Sequence, residues 1–282
     1  MTAADIESIL GEWMKNAPEN LVAAERALEP GLAGLRIYDD PIACACAADD
    51  ACLLSLADND AANVHLMMPE EWLPGARSVV SFFFPLSEEI RESNRKKDGI
   101  VSLAWLHGRI EGQACAEAAT RFLAAEIGKA ADVVIPTTDE RYKVHVDRDA
   151  PPQRRYSPNW SERHVAYAAG LGTFSMPGGL ITARGVAGRI GSIVTTAAIE
   201  PTPRPYEGVY DHCIRCGACA RRCPAGAISE DMTKDNARCS AQLDIAREKY
   251  PAYYGCGKCQ VAVPCESRIP KRREAPAHNA SQ

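Results

Sequence analysis

The chain has 282 residues, 46% hydrophobic and 24% charged, which suits a main globular domain with a smaller appendage. Its net charge of −5 gives no general attraction to nucleic acid or to an anionic membrane, so neither is expected as a partner. No apolar run reaches the roughly 18 residues that span a bilayer, and the opening MTAADIESILGEWMKN lacks the basic and apolar regions of a secretory signal. The expected location is therefore a reducing cytoplasm, where twelve cysteines stay out of disulfides and are buried, catalytic or metal-bound.

Thr2 and Asp5 form a capping-box pattern, and Ile6, Ile9, Leu10, Trp13 and Met14 recur at helical spacing, so the chain opens with a helix. Residues 35–38 and 42–46 read as short strands and 48–57 as a helix. SVVSFFF (78–84), closed by Pro85, is a continuous apolar run of the kind buried on both faces of a sheet. Residues 109–127 predict a helix ending at Gly128, followed by a strand over 133–135. A helix over 160–169 stops at the turn Gly170-Leu171-Gly172, and strands follow over 180–182 and 190–196. This alternation argues an α/β domain over residues 1–198. The proline-rich PTPRPYEG marks a linker over 199–211, a cysteine-rich domain occupies 212–270, and a polar disordered tail covers 271–282. Arg154 with Arg155, and the basic residues 271–273, read as solvated faces.

HCIRCGACARRCP places Cys213, Cys216, Cys219 and Cys223 in the run C-x2-C-x2-C-x3-C-P, the bacterial ferredoxin spacing whose fourth cysteine ligates the other cluster. Two-residue gaps let one tight loop aim three thiolates at a single cubane, while the longer gap and Pro224 turn the fourth away. A structural zinc site needs only paired C-x2-C steps and leaves the third step and the Cys-Pro unexplained. Cys239, Cys256, Cys259 and Cys265 bring the set to eight, the number that two 4Fe-4S clusters need. A helix is expected over 241–250. Cys44, Cys46, Cys52 and Cys115 read as buried small residues.

The cysteine run, a lone cysteine sixteen residues on and then G-C-x2-C-Q resemble epoxyqueuosine reductase and its relatives, the reductive dehalogenases. LPGARSVVSFFFP (73–85) and AYAAGLGTFSMPGGLIT (166–182) are similar to the family's early strand and to its glycine-rich turn with the following strand. The resemblance implies a nitroreductase-like α+β domain holding a cobalamin, with a small C-terminal ferredoxin-like domain whose clusters feed it electrons. It implies that Cys213, Cys216, Cys219 and Cys265 hold one cluster and Cys223, Cys239, Cys256 and Cys259 the other. It also places Gly170, Leu171, Gly172 and Thr173 against the cobalamin. No D-x-H-x-x-G motif offers a histidine to cobalt, and no P-loop or G-x-G-x-x-G supports a nucleotide alternative.

Two departures stand out. The last cysteine gap is five residues long, with Pro264 before Cys265 where the family has a proline after the cysteine. Arg155 stands three residues before Pro158 where epoxyqueuosine reductases carry an acidic proton donor, and a guanidinium cannot take that role. Tyr156 is the substitute expected, as in reductive dehalogenases, with His145, Asp147 and His164 as weaker candidates. The leading expectation is thus a reductase of a small organic substrate, supplied by a ferredoxin or flavodoxin. The alternatives are an electron-transfer protein or reductive activator serving a separate corrinoid protein, and a flavin-dependent reductase on the same fold.

Overall fold

The computed structural model describes residues 1–57, 66–151 and 155–271. Helix α1 (Ala3–Asn16) starts at the expected capping box: Thr2 Oγ1 accepts from the Asp5 amide at 3.3 Å and Asp5 Oδ2 from the Thr2 amide at 2.7 Å. Strand β1 (Ile42–Ala47), the short helices α2 (Ala51–Leu54) and α3 (Pro69–Trp72), strand β2 (Ser78–Pro85) and helix α4 (Glu88–Ser93) follow. The long helix α5 (Leu103–Ile127) leads to β3 (Val133–Val134) and then to the hairpin of β4 (Val144–Val146) and β5 (Tyr156–Pro158). Helix α6 (Glu162–Ala168) precedes a second hairpin, β6 (Gly172–Phe174) with β7 (Leu180–Thr182), and strand β8 (Gly188–Thr195). Two helices, α7 (Ala218–Arg222) and α8 (Asn236–Asp244), belong to the cysteine-rich segment.

The central sheet runs β1-β2-β8-β3, and every pairing in it is antiparallel. All eight residues of β2 are buried, as its unbroken apolar run requires of an inner strand with both faces covered. Val80, Phe82 and Phe84 face a core shared with α1 and α5; Val79 and Phe83 face the opposite side, toward α6. The fold thus mixes helices and a sheet as expected. Strands β2 and β8 pair antiparallel across a separation of some 110 residues.

Several boundaries also differ. Residues 35–38 make single bridges, Leu21 with Arg36 and Tyr38 with Leu86, rather than a strand. They are held by the buried Asn20, whose amide donates to the carbonyls of Met14 and Tyr38 and accepts from the Tyr38 amide. The helix expected over 48–57 shrinks to α2 because Asp50 caps it at Cys52 and Leu53. Helix α5 starts six residues before Arg109, where Ser102 accepts from the Trp105 amide. Helix α8 starts early at the Asp235 cap and gives way to a 3-10 turn, Ile245–Glu248. The segment 201–208 has no regular structure, in line with its prolines. Arg154 and nearly all of the tail from 271 lie outside the described residues. Among the described residues no helix is long and apolar enough to cross a membrane.

Candidate iron–sulfur site

Cys213 and Cys216 lie in the loop before α7, Cys219 lies within α7 and Cys223 caps its end. Cys239 is carried by α8, while Cys256, Cys259 and Cys265 sit in irregular loops. The loops are pinned by the rest of the chain. Val186 donates to the Cys265 carbonyl at 2.9 Å, and Asn94 Nδ2 donates to the Cys256 carbonyl at 2.8 Å. The ammonium of Lys258, only 2% exposed, donates to the carbonyls of Asn94 at 3.2 Å and Lys96 at 2.9 Å, and it stands 3.5 Å from Asp98 Oδ1. Arg222 donates to the Lys258 and Arg95 carbonyls. Glu266, next to Cys265 and 6% exposed, pairs with Arg95 at 2.7 Å and lies 3.9 Å from Arg91 Nε. Gly257 adopts φ +65°, and a Cβ there would strike the Trp105 indole, so only glycine lets this loop close against α5.

Two cavities gather the eight thiols. The inner one, about 170 Å³, is lined by Cys223, Cys239, Cys256 and Cys259 together with Trp105, Arg109 and Arg189. The outer one, about 20 Å³, is lined by Cys213, Cys216, Cys219 and Cys265, and Cys259 reaches it too. Cys216 is the one exposed cysteine of the eight. The electrostatics fall into the same two groups. Burial pushes the Cys265 thiol up to about 12, and Cys219, Cys213 and Cys216 add to that shift. Burial raises Cys256, with Cys223 and Cys239 adding. Burial takes Cys259 to about 12; Lys234 opposes the rise, and Cys256, Cys239 and Cys219 add to it. Among the described residues no three His, Cys, Asp or Glu side chains converge on a single-ion position. The thiols instead line the walls of the two cavities.

The other candidates are placed differently. Tyr156, 44% exposed, pairs with Val146 in the β4–β5 hairpin and lines none of the cavities found here. Gly170 closes α6: its amide donates to the Tyr167 carbonyl, and the Leu171 amide donates to the Ala166 carbonyl. With φ +97° at Gly170, this is a Schellman cap. A Cβ on Gly172 would strike the Ile181 backbone of β7, and the buried Thr173 hydroxyl accepts from the His212 amide at 2.9 Å. The glycines of this turn are therefore accounted for by packing within the protein. His145 is exposed on β4, and Asp147 accepts from the amides of Asp149 and Ala150. His164 Nδ1 lies 2.7 Å from Ser161 Oγ, and burial pulls it down to about 4. Cys46 and Cys115 are buried, whereas Cys44 and Cys52 are half-buried.

Sequence reasoning passed over Glu162. Its Oε2 is buried without a hydrogen-bond partner, and burial raises the carboxyl to about 7 against an opposing contact with Ser192. It also passed over Lys258, Glu266, Arg109 and Arg189. The only signal for Lys258 was its place between two cysteines.

Residues 206–229 match the 4Fe-4S binding domain family. The ferredoxin of Megasphaera elsdenii is 58% identical over 26 residues, covering 9% of this chain and 48% of the ferredoxin. Epoxyqueuosine reductase from Streptococcus thermophilus superposes with a TM-score of 0.50 at 20% identity, over 79% of this chain and 62% of its own. An epoxyqueuosine reductase solved with an epoxyqueuosine-modified tRNA stem loop gives 0.51 at 17% identity, over 94% and 66%. A catabolic reductive dehalogenase gives 0.47 at 18%, over 81% and 30%. The chain thus spans about half of the ferredoxin and less than two thirds of the Streptococcus reductase. It carries a 4Fe-4S binding domain, and over most of its length it is structurally similar to epoxyqueuosine reductase and, less closely, to reductive dehalogenase.

Proposed function

We propose that this chain is a two-cluster iron–sulfur oxidoreductase of the reducing cytoplasm. Cys213, Cys216, Cys219 and Cys265 would hold the outer 4Fe-4S cluster, and Cys223, Cys239, Cys256 and Cys259 the inner one. The observation that carries this is the sorting of eight thiols around two cavities that meet at Cys259. When bound, the clusters supply one-electron carriage. The chain's own residues hold the thiolates and leave Cys216 facing solvent, toward a ferredoxin or flavodoxin donor. The division into a sheet domain over 1–198, a linker over 199–211, a cluster domain over 212–270 and a tail over 271–282 belongs to this reading, as does the nitroreductase-like character of the sheet domain.

Two acceptors are consistent with the fold. One is a bound cobalamin that reduces a small organic substrate, with Tyr156 as proton donor; the fold shared with epoxyqueuosine reductase supports it. The other is a separate corrinoid protein, with this chain as an electron-transfer partner or reductive activator. One observation favours the second: strand β7 and the loop around Thr202 fill the Cβ side of Gly172 and Gly170, so packing within the protein already accounts for both glycines.

The test is anaerobic reconstitution with iron, sulfide and hydroxocobalamin, desalting, and measurement of iron and corrinoid. About eight irons per chain without corrinoid selects the relay. About eight with one corrinoid restores the cobalamin-bearing reductase. Retained flavin selects a flavin-dependent reductase, and about four irons overturns the ligand grouping.

A further inference from the structure

The two cavities differ sharply in charge. Arg109 of α5, Arg189 of β8 and Lys234 line the inner cavity, and no carboxylate does. Only Arg215, which is exposed, lines the outer one. Arg109 has no acidic partner among the described residues, and its Nε is buried without a hydrogen-bond acceptor. Its guanidinium lies 4.4 Å from the centre of the Tyr254 ring, which Arg247 approaches at 4.5 Å. Arg189 donates to the Arg109 carbonyl at 3.0 Å, which holds the two cations side by side. Burial, and then Arg189, lowers the Arg109 guanidinium, yet an arginine remains charged. Adjacent half-buried cations without counter-charge cost stability. Four thiolates around a [4Fe–4S]2+ core carry a net 2− charge, which is the missing complement.

We infer that Arg109, Arg189 and Lys234 raise the reduction potential of the inner cluster above that of the outer one, so that the inner cluster is reduced first. This rests on the two-cluster reading. Reduction adds one electron to the cubane and takes the four-thiolate unit from 2− to 3−, with no bond made or broken. Three half-buried cations favour the 3− state more than one exposed, solvent-screened arginine does. Electrons entering at Cys216 then run downhill past Cys259 and settle inside.

The experiment is a dithionite redox titration of the reconstituted holoprotein, followed by electron paramagnetic resonance. Wild type should show two midpoints. Arg109→Met should lower the higher midpoint by about 59 mV, a tenfold change for one electron, and leave the lower one in place. Arg109→Lys should retain the wild-type value, and Lys234→Met should reproduce the fall at a less enclosed position. Arg215→Met should leave the higher midpoint unchanged. With about eight irons still bound, an unmoved higher midpoint in both Met variants overturns the inference, as does a shift confined to the lower one. Four irons or a single midpoint in wild type would instead sink the two-cluster reading itself. If Arg109→Met fails to load, Lys234→Met decides.

Discussion

The inner and outer cavities use the same ligand chemistry but differ in the charge around it. The outer one is formed by the loop before α7, the first turn of α7 and the returning Cys265, set against Ser175, Met176, Pro177, Ile181 and Val186 of the sheet domain, with Cys216 left in solvent and Arg215 its one cation. The inner one takes walls from α5 and β8, with the buried Trp105 and the half-buried Arg109, Arg189 and Lys234 around it. Both cavities thus take part of their wall from the sheet domain, and what separates them is charge: three cations line the inner one and a single exposed arginine the outer.

The contrast can be broken most severely at the cysteines. Cys265→Ser should leave about four irons per chain, all in the inner site. Cys259→Ser, which removes a wall common to both, should leave four or fewer. Retention of eight irons in Cys265→Ser would mean that another group completes the outer set.

Glu266→Gln comes next. It removes one of Arg95's two carboxylate partners, leaving Glu92 at 2.8 Å, and leaves Arg91, itself 7% exposed, with Asp39 at 3.9 Å. Thermal unfolding should show a loss of about 2–3 kcal/mol, and a chelator should strip the outer iron faster than the inner. Equal stripping rates would show that this ion pair does not distinguish the two sites.

Glu162 supplies a control remote from both cavities. Its native carboxyl titrates near 7 against 4.5 unfolded. The native state therefore holds a proton that the unfolded state has released. Its contribution is full below pH 4.5 and is lost as pH rises through 7. Glu162→Gln should remove roughly 2 kcal/mol of that slope in urea melts from pH 4.5 to 7.5, without changing iron content. An unchanged slope would mean that the carboxylate is ionised in the native state.

Lys258→Met should have the smallest effect. Leaving the Asn94 and Lys96 carbonyls unpaired should cost about 1–2 kcal/mol and speed iron loss from the inner site alone. Uniform loss would show that the Lys258 staple serves both sites.

The sequence showed most where the signal was local. The spacing of Cys213 to Cys223 pointed to iron–sulfur chemistry, and residues 206–229 match the corresponding domain. The apolar run of β2 announced an inner strand, and Thr2 with Asp5 announced the first helix. What stayed hidden depends on distance along the chain. One antiparallel partner of β2 is the distant β8, and the wall of the inner cavity includes Trp105 and Arg109, more than 100 residues before the cysteines that line it with them. Periodicity reports which face of an element is buried, not against what. A lysine between two cysteines looks like any solvated lysine until its ammonium is found among the carbonyls of 94 and 96.

The placement of Gly257 against Trp105 also bears on the order in which the protein is made. The indole leaves the ribosome well before the glycine loop that docks on it, since synthesis runs from the N-terminus. Cys223 and Cys239 of the inner cavity are also made before it, so the four thiols that line this cavity are together only after the loop of Cys256 and Cys259 has been added and docked on α5.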